Sequence, residues 1–174
     1  LNPKHPSPVV AGNVETSQTL IDVLNGALEI QAACYGTMSN ITFGDRHFGY
    51  YETICGGEGA SKGNNGTDSV HCHMTNTSIT DAEILEWNYP VRLIKFCIRK
   101  NSKGTGKWNG GNGSSREIMF LKNLDVTILS NRRKVAPFGL KGGNYGKVGI
   151  NILKGKNFYK KLPSSCQLKV KSGN

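Results

Sequence analysis

The chain has 174 residues, of which 22 are Gly, with 37% hydrophobic content and a formal charge of +10 from 22 Lys and Arg against 12 Asp and Glu. That length suits one domain with a full core rather than two, and no apolar run reaches the roughly 18 residues of a membrane span. The basic residues are spread thinly from Arg92 to Lys171, with no block longer than Arg132-Arg133-Lys134 and no aromatic–basic ladder, so a solvated lysine-rich surface is expected rather than a nucleic-acid face.

In chain order, Pro3, Pro6 and Pro8 make a stiff, extended entry. The start on LNPKHPSP and the stop at VKSGN read as those of a piece of a larger polypeptide. From Val14 to Ala33 the period is helical: Leu20, Val23, Leu24, Ala27, Leu28 and Ala32 recur at three- and four-residue steps. Asn13 or Thr16 is placed to cap this helix, Gly36 to end it, and Gly26 to mark close packing on a neighbour. Residues 37–48 and the glycine-rich stretch after them predict short strands and ordered loops. Thr80-Asp81-Ala82-Glu83 reads as a capping box for a short helix over Asp81–Glu86.

The second half reads as strands at Val91–Arg99, Arg116–Leu121, Asp125–Ser130, Gly149–Leu153, Phe158–Leu162 and Gln167–Lys171, separated by glycine turns. The expected class is α+β: a long N-terminal helix and glycine-rich loops packed on a mainly antiparallel sheet, as a single domain over 1–174.

The stretch Gly49–Thr77 carries the densest chemistry. Its glycines Gly56, Gly57, Gly59, Gly63 and Gly66 permit close backbone approach, and Glu52, His71, His73, Thr75, Asn76 and Thr77 bind polar groups or move protons. Glu52 is a candidate general base or clamp, with a structural carboxylate the competing reading. His71 and His73 sit two apart and offer half of a metal site, but no complete ligand set is visible, so hydrogen-bonded histidines are expected and no metal. Arg132 and Arg133 are candidates for an anionic group. GGEGAS, GGNGSS and GGNYGK fit no phosphate-loop pattern and read as turns. The five cysteines lack a CxxC pair and read as reduced, mostly buried thiols, which points to the cytoplasm.

Several segments taken together resemble the hydantoinase B/5-oxoprolinase family, near the C-terminal end of its B subunit: Asn2–Gln18, Gly36–Asn40, GYYETICGGEGA, VHCHMTNT (Val70–Thr77), TDAEILEWNYPVR (Thr80–Arg92), WNGGNGSSREI (Trp108–Ile118) and LSNRRKVAPFGLKGG (Leu129–Gly143). The blocks run in order over nearly the whole chain. Cys72 departs from the Thr common between the two histidines, and Asn112 from a common Asp. The resemblance implies a component of an ATP-dependent cyclic-amide hydrolase, opening 5-oxoproline to glutamate or a hydantoin to an N-carbamoyl amino acid. It implies ATP and Mg held by a hydantoinase A-type subunit or by a missing N-terminal half, and an oligomer. The expected site is Glu52, His71 and His73 as catalytic residues, with Asn76, Thr75, Gly56, Gly57, Arg132 and Arg133 against the substrate. Competing classes are a component of a related ATP-dependent acetone or acetophenone carboxylase and a non-catalytic polyanion-binding module.

Overall fold

The computed structural model describes residues 12–36 and 39–174, so the expected proline entry lies outside the described residues. The elements, in order, are α1 (Gly12–Ala27), β1 (Asn40–Gly44), β2 (Gly49–Thr53), α2 (Ala82–Asn88), β3 (Val91–Ile98), β4 (Ser114–Phe120), β5 (Leu124–Leu129), β6 (Asn151–Gly155), β7 (Phe158–Leu162) and β8 (Ser165–Val170). All strand pairs are antiparallel: a four-stranded sheet ordered β2-β1-β5-β8, and two-stranded ribbons β3-β4 and β6-β7.

The core forms where the four-stranded sheet meets α2 and the β3-β4 ribbon. Leu124 and Val126 alternate inward along β5 while Asp125 and Thr127 face out, the period-2 pattern of a sheet covered on one side. Phe43 on β1 stands opposite both Tyr50 and Val126. Its ring meets Phe120 edge-on at 5.6 Å and Tyr50 at 4.7 Å, with Leu85, Val91 and Val170 closing the cluster. Helix α2 begins one residue later than the capping box placed it. Asp81, not Thr80, is the cap, taking the N–H groups of Glu83 and Ile84 at 2.9 and 3.4 Å.

Helix α1 corrects the sequence reading in three respects. It ends at Ala27, not Ala33, in a Schellman closure: the Ile30 N–H returns to the Asn25 carbonyl at 2.9 Å while Glu29 takes φ +54. Glycine usually fills that left-handed position, so no residue type announced the stop. Thr16 lies inside the helix and caps nothing. The buried face is also not the apolar stripe. Gln18 and Asp22, four apart, are the buried ones, whereas Leu20, Val23, Leu24 and Leu28 are exposed.

Beyond the helix, residues 31–35 run along the glycine-rich segment. Ala32 donates to the Ala60 carbonyl and Tyr35 to that of Gly57. Gly57 in turn lies against the Gly111 carbonyl so closely that a Cβ has no room, and its glycine is a condition of that backbone approach. Gly26 also packs as its sequence position suggested: the Phe138 ring sits 2.8 Å from where a Cβ would be. No described helix is long and apolar enough to cross a membrane.

Candidate functional site

Two constellations emerge, and they divide the residues expected to form one surface. The first is an open cleft of about 1220 Å³ between the sheet, the β6-β7 hairpin and three glycine loops. Gly56, Gly57, Arg132 and Arg133 line it, together with Arg99 and Arg116. Glu52, His71, His73, Thr75 and Asn76 are not among its lining residues.

Arg133 is positioned by two acceptors, Asn151 Oδ1 at 3.0 Å and the Asn131 carbonyl at 2.6 Å. Burial, with Arg99 nearby, lowers its pKa to about 10. Arg132 has φ +52 and places Nη2 2.8 Å from Asp22 Oδ2, leaving Nε buried without a partner among the described residues. Arg116 projects from β4, and its Nη1 is likewise unpartnered. Cationic donors with spare hydrogen-bonding capacity beside a cleft favour an anionic group.

The carboxylate of Glu52, read as a candidate base, is instead locked to that same Arg116. Arg116 Nη2 donates to Oε1 at 2.9 Å and Nε stands 2.7 Å from Oε2, with side chains only 1% and 2% exposed. The Tyr50 hydroxyl, at 2.9 Å, and the Thr80 N–H, at 3.3 Å, fill further sites on Oε1. A carboxylate engaged in this way holds β2, β4 and the start of α2 together. The structural reading of Glu52 is the arrangement present.

The second constellation sits on the polar face of α1. Asp22 accepts from the Cys34 N–H at 3.1 Å, from Arg132, and lies 3.7 Å from His73 Nε2. Gln18 Nε2 donates to the Cys72 carbonyl at 2.9 Å and stands 3.8 and 3.9 Å from the Cys34 and Cys72 sulfurs. Its Oε1 takes the Met74 N–H at 2.9 Å, which fixes the amide's orientation. The hydrogen bond from Cys72 lowers the Cys34 thiol to about 6 and holds the Cys72 proton on more tightly. The Cys34 sulfur, first among the causes, raises His73. His71 is separate: its Nε2 lies 3.5 Å from Thr77 Oγ1, its Nδ1 is buried without a partner among the described residues, and burial lowers its pKa. Thr75 is buried, with its N–H on the Cys72 carbonyl at 3.1 Å, and Asn76 is exposed.

Sequence reasoning missed Gln18, Asp22, Cys34 and Arg116. The four-residue spacing of Gln18 and Asp22 was the available signal for a polar helix face. Cys34 and Arg116 gave none, because their partners lie far away in sequence.

Several amides of the glycine loops are taken up within the loops, as in Gly110 to Gly104, Gly111 to Glu58, Gly143 to Leu140 and Gly146 to Pro137. A phosphate cradle needs a row of free N–H groups. The four amides named are not free to form one.

The profile of hydantoinase B/oxoprolinase matches residues 1–174. The chain belongs to the hydantoinase B/oxoprolinase family. Among its relatives in that family, the 5-oxoprolinase of Dictyostelium discoideum is 49% identical over 171 residues, covering 98% of this chain and 14% of the relative. 5-oxoprolinase 1 of Arabidopsis thaliana is 52% identical over 153 residues, 88% of this chain and 12% of that protein. A putative D-/L-hydantoinase component of the B type, from a Pseudomonas species, is 31% identical over 157 residues, 85% of this chain and 26% of that one. The fold matches the crystal structure of the ATP-dependent caprolactamase from Pseudomonas jessenii, with a TM-score of 0.80 at 22% identity, over 99% of this chain and 34% of the other. The chain thus spans a small part of the curated relatives it matches.

Proposed function

We propose that this hydantoinase B-type chain forms one wall of the substrate cavity of an ATP-dependent cyclic-amide hydrolase, with 5-oxoproline as the substrate opened to glutamate. The observation that carries this reading is the identity of about half to two 5-oxoprolinases across nearly the whole chain, against 31% to the hydantoinase component. The cleft supports it chemically. A five-membered lactam bearing a carboxylate presents an anion and an apolar ring together. Arg133 and Arg132, among glycine backbone and apolar side chains, offer the complementary surface.

In this reading Arg133 orients the substrate carboxylate, and Gly56 and Gly57 bring backbone close to the ring. His71 and His73 lie outside the cleft, so neither takes a proton-transfer role on a ring bound there. Glu52 acts as a positioning residue through Arg116. ATP and its magnesium are held by a hydantoinase A-type partner or by further hydantoinase B sequence, in a larger oligomer. The five free thiols suit the reducing cytoplasm.

The test uses the assembled enzyme, following glutamate and phosphate release with 5-oxoproline and ATP. Arg133→Ala raises KM for 5-oxoproline by about one to two orders of magnitude, the loss of a charge-assisted contact. Arg132→Ala, at the second arginine of the cleft, raises the same KM by about tenfold. Unchanged kinetics in both variants, with unchanged melting temperatures, would remove this wall from the reaction.

A further inference from the structure

We propose that Cys34, Cys72 and His73 form a binding site for a zinc-class divalent cation, supported by Gln18 and Asp22. The inference is independent of the cleft and departs from the expectation that no metal binds.

The geometry is nearly assembled. Cys34 Sγ, Cys72 Sγ and a His73 ring nitrogen all lie within 4.8 Å of one another. Ligand atoms around a tetrahedral zinc stand about 3.5–3.8 Å apart, given Zn–S near 2.3 Å and Zn–N near 2.0 Å. A contraction of about 1 Å therefore closes the site around an ion, within the reach of side-chain rotations. Two thiolates and an imidazole select zinc or a similar soft cation over magnesium or calcium.

Each ligand is already held from outside the site. The Cys34 N–H is tied to Asp22 at 3.1 Å, and the Cys72 carbonyl to Gln18 at 2.9 Å. His73 adopts φ +57, a left-handed conformation that a non-glycine residue keeps only where its surroundings impose it. Gln18 Nε2, 3.8 and 3.9 Å from the two sulfurs, is placed to donate to thiolates, and Asp22 Oδ1 lies 3.7 Å from His73 Nε2. A carboxylate behind a ligating histidine and an amide N–H on a ligating sulfur are the usual supporting contacts of metal sites.

Charge also closes. Asp22 and Arg132 already neutralise each other at 2.8 Å. Two thiolates added to a divalent cation and a neutral imidazole leave no net charge in a pocket where Cys34 is 1% and Cys72 8% exposed. Binding releases the thiol protons to solvent and involves no oxidation. The three ligands come from the segment after α1 and from the loop at 70–77, so the ion would tie these two together, with water in the fourth position.

The test is a cobalt titration of the reduced, chelator-treated protein, with zinc displacement as the second step. A tetrahedral cobalt spectrum with thiolate-to-metal charge transfer, saturating at one equivalent and erased by zinc, is expected. Cys34→Ser and Cys72→Ser should each abolish the charge-transfer band at that stoichiometry, and Gln18→Ala should weaken cobalt binding about 10–100-fold. Because the cysteine variants risk misfolding, the unmodified protein decides. No thiolate–cobalt band in folded reduced protein overturns the proposal. So does a Cys34–Cys72 disulfide found by mass spectrometry in protein purified with zinc and without reductant.

Discussion

The Glu52–Arg116 pair shows how one residue's role depends on a partner 64 positions away. Glu52→Gln leaves a buried guanidinium facing a neutral amide and should cost about 3–5 kcal/mol of stability, read from a denaturant midpoint. Replacing both residues, Glu52→Leu with Arg116→Met, should recover most of that loss, since no buried charge is then left unpaired. Equal destabilisation by the single and double changes would show that packing, and not charge, is what the pair supplies. Glu52 was visible as a candidate because carboxylates beside glycine loops often act on ligands. Its engagement by Arg116, Tyr50 and Thr80 was invisible, because no local pattern encodes a contact made across strands. The thiols give a second prediction at this scale. Burial raises the Cys55 pKa and keeps it protonated, so native-state maleimide labelling should reach the half-buried Cys97 and Cys166 well before Cys55. Labelling of Cys55 at the same rate would show that this part of the fold opens freely.

At the scale of elements, the strands were the legible part. Val91–Arg99, Asp125–Ser130 and Phe158–Leu162 were marked by β-branched and aromatic runs between glycine turns, and the observed β3, β5 and β7 fall within a residue or two of them. The end of α1 was illegible for a physical reason: Glu29 occupies the left-handed position of its Schellman closure. Glu29→Gly should therefore raise stability by up to about 1 kcal/mol, as a rise in the thermal midpoint. The ion pair lost with it, to Lys141 at 2.9 Å, is too exposed to offset much of that gain. A fall in the midpoint would mean that the ion pair outweighs the backbone strain. Gly26→Val should act oppositely, driving a side chain into the Phe138 ring and loosening α1 from the 137–146 loop.

At the scale of the whole molecule, the accessible surface is 10945 Å². Large apolar side chains are exposed, among them Leu20, Val23 and Leu24 on α1, Leu28 just past its end, and Ile94, Phe96 and Ile98 on β3. Patches of this kind mark surfaces that associate. The double substitution Leu24→Glu, Leu28→Glu should change unfolding stability by no more than about 0.5 kcal/mol per site, because both side chains already face water. It should also reduce self-association in sedimentation and binding of a hydrophobic dye. A large loss of stability instead would show that the stripe is packed in solution. Helix α1 is thus oriented by two polar anchors rather than by its greasy side. In such a helix, solubility and recruitment are opposed traits: recolouring the outward stripe would give a better-behaved chain on its own that no longer joins its neighbours, and a screen for expression would select that defect unnoticed.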